Sequence, residues 1–227
     1  MRLPFAASLE ALVRPGSAFS SSPPPLVQAV RDMLRVWVPL ALVNAIGTTW
    51  RALQVYGALR RGAVPSGLLG WLGVDAAELQ DLLLSLPQPP AFARAWPWLL
   101  LIVPLGVLGT WLHHAVWDHS GLWLLGGLKS RRGFRTSLLA EAEVLRIAAV
   151  GTLLGLLGFV PVLGAILALP LMLLDAYLWL FRGFALAARH GCEPWRGVAA
   201  TVVHAALLGG CGLGLLCLLF YMVRMAT

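Results

Sequence analysis

Long apolar runs alternate with short polar breaks along the chain, and five of the runs are long enough to cross a hydrocarbon core. Crossing takes about 20 helical residues at ~1.5 Å rise each. The runs are approximately Val36–Leu59, Trp96–Trp117, Val144–Val160, Val162–Leu186 and Gly197–Tyr221. Only Pro161 separates the third from the fourth, which predicts a tight helical hairpin turning at Gly158–Gly164. Between the first two runs, "DAAELQDLLLSLP" places Asp75 as an N-cap with Glu78 three residues later and ends at Pro87. Asp75, Glu78 and Asp81 share one face, and Leu79, Leu82, Leu83 and Leu86 the other. That pattern predicts a short amphipathic helix on the outer leaflet. The expected fold is all-α, an integral membrane bundle of five transmembrane helices with a short amphipathic outer-loop helix.

Residues 1–30 read as a cytoplasmic head, partly flexible, broken by "SSSPPP" at Ser20–Pro25. Leu3, Phe5, Leu9 and Leu12 would rest on the membrane surface. A signal peptide does not fit, because Arg2 is a thin basic start and Glu10 interrupts the apolar stretch. Residues 31–227 then form the membrane domain, with no second domain.

Composition agrees with this placement. Hydrophobic residues make up 59% of the 227, charged residues 12%, and the mean hydropathy is +0.81, so the chain cannot cover itself with polar surface as a soluble domain would. The formal net charge of +7 comes from scattered arginines and one lysine, which argues against nucleic acid as a partner and for a topology signal. With the N-terminus inside, ten Lys/Arg fall on the inner side and four on the outer. The loop "KSRRGFR" carries Lys129, Arg131, Arg132 and Arg135, which resist translocation and would meet anionic lipid headgroups. Five spans then put the C-terminus outside.

Candidate chemistry within the spans is sparse. Asp175 sits near the middle of the fourth span, where an aspartate costs about 2.5–3.5 kcal/mol. Arg51 in the first span, offset by roughly 7 Å along the axis, is its expected ion-pair partner and acts as a register device. Arg182, two turns toward the cytoplasm, would snorkel to the interface. His113, His114 and His204 share a depth and could converge on a haem or metal, although nothing else in the spans calls for one, so no cofactor and no metal are expected. Cys192, Cys211 and Cys217 form no CxxC. Gly151-xxx-Gly155 and Gly210-xxx-Gly214 predict close helix packing inside the bundle. No catalytic motif is present, and no catalytic residue is assigned.

Four short motifs occur in a fixed order: "LVRPGSAF" (Leu12–Phe19), "HSGLWLLGGLKSRRGFRTSL" (His119–Leu138), "FVPVLGAI" (Phe159–Ile166) and "ALAARHG" (Ala185–Gly191). In this order and placement the chain resembles the Yip/Yif domain family in its bacterial form, from about Leu12 to about Tyr221. A tyrosine and a proline that usually follow the basic loop are absent from "LAEAEVLRI" (Leu139–Ile147). The resemblance implies a membrane-embedded adaptor of the bacterial inner membrane; eukaryotic members associate with Rab-type GTPases, a partner not expected in a bacterium. The expected function is a non-catalytic polytopic scaffold that organises partner membrane proteins or shapes the bilayer. The alternative is a small transporter or a lipid- or cofactor-handling protein built on Asp175, Arg51 and the three histidines.

Overall fold

The computed structural model describes residues 10–19, 22–61, 76–85, 87–89, 91–128 and 133–226. Its regular elements are helical throughout: α1 (Pro15–Ala18), α2 (Leu26–Arg60), α3 (Ala76–Ser85), α4 (Phe92–Leu124), α5 (Phe134–Gly155), α6 (Pro161–His190) and α7 (Pro194–Ala226), with a 3₁₀ turn at Leu156–Phe159. The chain divides into two compact units, Met1–Leu40 with Gly106–Thr227, and Ala41–Leu105.

Four described helices are long and apolar enough to cross a membrane: Phe92–Leu124, Phe134–Phe159, Val162–His190 and Pro194–Leu218. The expected first span lies inside α2, which is long enough at 35 residues but carries Asn44, Thr48, Thr49, Arg51 and Gln54 along its second half. The helices also outrun the expected spans at their ends, because a helix does not stop where its apolar stretch does. α3 forms where the amphipathic pattern predicted it; its proposed cap, Asp75, and Leu86 lie outside the described residues, as do Leu3, Phe5 and Leu9 of the head.

Local chemistry explains the boundaries. The 3₁₀ turn tightens the end of α5, Val160 is extended, and Pro161 opens α6 at its first position. Proline fits there because its missing N–H would have had no partner, and it drives the preceding residue out of the helical region. A Cβ on Gly164 would stand 2.6 Å from the Gly158 carbonyl oxygen, so only glycine lets the hairpin close. α4 stops at Gly126 and α6 at Gly191, both left-handed with φ near +65° and +67°. Arg196 Nη1 then donates to the Leu125 and Gly126 carbonyls at 3.2 and 2.6 Å, covering the end of α4.

Packing in the first unit depends on small residues. A Cβ on Gly197 would lie 2.1 Å from the Gly183 carbonyl oxygen, and one on Gly183 would lie 2.5 Å from the Val198 Cα, so α6 and α7 touch backbone to backbone. Gly121 brings α4 near α7 less tightly, with a Cβ there 3.1 Å from the Ala200 carbonyl oxygen. This is the close approach that small residues permit when lipid supplies no hydrophobic drive between helices. The sequence had pointed elsewhere. Gly151 does pack, against Leu178, but nothing described lies within 4 Å of a Cβ at Gly155, Gly210 or Gly214.

Buried residues gather toward the ends of α4–α7 that lie away from the Pro161 turn. Leu122, Ala140, Leu186 and Ala200 form one cluster. By contrast, only 6% of the apolar window of Val162–His190 is buried, as expected of lipid-facing helix. Within residues 10–19, Leu12 and Phe19 face the protein rather than a membrane surface. Leu12 and Phe19 pack with Val144, Ile147, Val150, Leu178 and Phe181, and the Tyr177 hydroxyl donates to the Leu12 carbonyl at 2.5 Å.

Gly197→Val should cost about 1–3 kcal/mol or more through overpacking, while Gly210→Val should stay within about 0.5 kcal/mol. Thermal unfolding in a mild detergent reads both. Equal melting of the two variants would remove Gly197 from the helix crossing.

Candidate functional site

Small residues one turn away bring the polar side chains of four helices together. Asp118 stands three residues before Gly121 on α4, Arg182 beside Gly183 on α6, and His204 four residues after Ala200 on α7. Glu141 faces them from α5. All are withdrawn from solvent and lipid: Asp118 and Glu141 are 0% exposed, His204 1% and Arg182 4%.

Arg182 is the centre. Its Nη2 donates to Asp118 Oδ2 at 2.6 Å and its Nε to Glu141 Oε2 at 3.2 Å, so one edge of the guanidinium spans two carboxylates from two other helices. Its flat face lies over the Trp179 ring, 4.4 Å from the centroid, and the Trp179 indole N–H donates to the Thr201 carbonyl at 2.7 Å. Arg182 therefore does not snorkel. It follows Pro161 by 21 residues, about 32 Å of helix, close to a full hydrocarbon thickness, and two carboxylates wait for it there.

A histidine relay leads into this centre. His204 Nδ1 is 2.7 Å from Asp118 Oδ1. An ionised carboxylate only accepts, so Nδ1 carries the hydrogen, and His204 Nε2 is left to accept. His113 Nε2 is 3.2 Å from that atom and donates to it. The relay thus runs from His113, which is exposed, through His204 to the buried Asp118. His114 approaches from the same helix as His113, with Nδ1 3.9 Å from Glu141 Oε2, beyond hydrogen-bond reach. Three atoms at the centre have no hydrogen-bond partner: Glu141 Oε1, Arg182 Nη1 and His114 Nδ1.

Two further sets of contacts flank the centre. The Ser137 hydroxyl lies between His119 Nδ1 and His190 Nε2, 2.9 Å from each, joining α4, α5 and α6. Arg189 binds Glu143 through two nitrogens, each at 2.7 Å, and donates from Nη1 to the Phe19 carbonyl at 3.3 Å. Its guanidinium lies 5.7 Å from the Phe19 ring centroid.

The residues singled out from the sequence fare unequally. His113, His114 and His204 do converge, with ring centroids 5.1–5.9 Å apart. The His113 and His204 Nε2 atoms bond to each other, which leaves no gap for a haem iron between them. Among the described residues no three His, Cys, Asp or Glu side chains form a metal-holding group. Asp175 lies exposed on α6, its carboxylate against Gly151, where a Cβ would be 3.6 Å away. Arg51 is exposed on α2 and belongs to the second unit. Arg135 is exposed on the first turn of α5; Lys129, Arg131 and Arg132 lie outside the described residues. Asp118, Glu141, Arg182, His119, His190 and the Arg189–Glu143 pair had not been assigned to a site.

No protein-family model matches the chain, and neither a curated protein nor a solved structure does.

Removing Arg182 strands two buried carboxylates. Arg182→Met is expected to cost about 3–5 kcal/mol, and adding Asp118→Asn and Glu141→Gln should recover part of the loss. Thermal unfolding of the single and triple variants measures it, and a single variant as stable as the parent would show that the centre bears no load.

Proposed function

We propose that the chain is a non-catalytic polytopic membrane scaffold of the Yip/Yif type, one that organises neighbouring membrane proteins or shapes the bilayer around it. The supporting observation is that buried charges of the first unit are spent on one another. Arg182 binds Asp118 and Glu141, and Arg189 binds Glu143 and the backbone at Phe19. Buried pairs of this kind are best attested as devices that fix register and arrangement. The motifs behind the resemblance also have structural duties. "FVPVLGAI" makes the hairpin turn, Gly126-Gly127 ends α4, and "ALAARHG" supplies Arg189, His190 and the Gly191 stop.

The proposal extends to membrane placement. α2 would form a fifth span, the N-terminus would face the cytoplasm of a bacterium and the C-terminus the outside. The excess of arginine on the inner side supports this orientation. The partners are membrane lipids and other membrane proteins.

One observation favours a second reading, a small proton- or ion-handling protein. The hydrogen-bonded line from exposed His113 through His204 to Asp118 is the kind of path along which intramembrane protons move. Reconstitution into vesicles with a pH gradient and an internal pH dye separates the two. The scaffold reading expects dissipation no faster than in protein-free vesicles, together with a reproducible set of membrane proteins co-purifying in mild detergent. A flux several-fold above protein-free vesicles that His204→Ala abolishes would replace the scaffold with transport.

A further inference from the structure

A cavity of about 440 Å³ lies in the second unit, between the last turns of α2, the residues Gln88, Pro89 and Ala91, and the first residue of α4. Its volume is that of a small-ligand site. One part of its wall is apolar and aromatic: Trp50 meets the Phe92 ring edge-on at 5.4 Å, with Leu53 and Pro89 beside them. Another part is cationic, because Arg60 and Arg61 both line it and none of the described lining residues is a carboxylate.

Two donors in this wall lack a partner. The Tyr56 hydroxyl and Arg60 Nη1 are buried and make no hydrogen bond. Arg60 is otherwise held, its Nη2 donating to the Leu84 carbonyl of α3 at 3.5 Å and its guanidinium 5.8 Å from the Tyr56 ring centroid. Two fixed donors and a second arginine call for an oxygen acceptor that carries negative charge, because a buried donor left unmatched is unfavourable. The aromatic wall calls for an apolar body attached to that oxygen.

Position narrows the occupant. Phe92 is the first residue of a helix long and apolar enough to cross a membrane, so this wall stands at the end of a span, where tryptophan and tyrosine meet lipid headgroups. We propose that the cavity binds the phosphate of an anionic phospholipid, its oxygens on Arg60, Arg61 and Tyr56 and its glycerol and first methylenes against Trp50 and Phe92. Its lining residues are other than those of the basic loop at 129–135.

Native mass spectrometry of the full chain in mild non-ionic detergent tests the assignment, with dioctanoyl phosphatidylglycerol and dioctanoyl phosphatidylcholine as probes and inorganic phosphate as competitor. Phosphatidylglycerol should bind about tenfold more tightly than phosphatidylcholine. Arg60→Gln with Arg61→Gln should remove that advantage, and neutralising Lys129, Arg131, Arg132 and Arg135 should leave it in place. Tyr56→Phe should weaken phosphatidylglycerol several-fold, and it decides the matter if the double variant is not recovered folded. Equal binding of the two lipids, or an advantage indifferent to Arg60, Arg61 and Tyr56, would overturn the site. Inorganic phosphate that displaces the lipid at comparable concentration would overturn the phospholipid and leave a free oxyanion as the ligand.

Discussion

Arg182 sends Nε to Glu141 and Nη2 to Asp118, so α4, α5 and α6 meet at one planar group whose hydrogens point in fixed directions. His204 brings α7 to the same point by taking the other oxygen of Asp118. Within a bilayer the apolar faces of these helices gain little by touching one another, since lipid tails are as apolar as leucine. Position must therefore come from groups that cannot be left alone. A guanidinium and two carboxylates away from water satisfy that condition, because separating them is far more costly than forming them was favourable. The small residues follow from this. Without Gly183, Gly197 and Gly121 the backbones would stand too far apart for the side chains to meet.

The features legible in the sequence are those fixed within a few residues. Pro161 between two glycines forces a turn whatever surrounds it, and Gly126 and Gly191 mark helix ends because each needs a left-handed φ. The all-helical fold was likewise readable from the apolar runs. The centre was not, because its members are 22 to 86 residues apart and become neighbours only once the helices pack. One signal was available. Glu141 precedes Pro161 by 20 residues and Arg182 follows it by 21, so an antiparallel hairpin brings them near one level. Asp175 drew attention instead because it interrupts an apolar run, whereas Arg182 stands where polar residues return. The small-residue patterns misled for a related reason. Gly210 and Gly214 have the right spacing, but spacing alone does not say whether another helix comes near.

The segment at 10–19 shows how tertiary contacts redirect a surface pattern. Leu12 and Phe19 could serve equally on a membrane surface or in a protein groove. The groove prevails because each apolar contact is accompanied by a polar one: Tyr177 donates to the Leu12 carbonyl, Arg189 to the Phe19 carbonyl. Backbone carbonyls at helix ends and turns need partners, and water or headgroups would have served at the surface. Two side chains from α6 take that role, and Arg189 also binds Glu143 of α5.

The relay at His113 separates the two functional readings on physical grounds. A register lock requires that its members be paired and dry, and Asp118, Arg182 and the His204 ring are paired and buried, with Arg182 Nη1 left over. A proton path requires an open end and somewhere for the proton to go. His113 supplies the open end, and Glu141 Oε1 and His114 Nδ1 at the centre have no hydrogen-bond partner. Arg182 itself holds its protons at any physiological pH. The hydrogen-bonded line from His113 through His204 reaches Asp118 and continues to Arg182, which takes up no further proton. A cation fixed at that point suits the proposed register lock better than a carrier would.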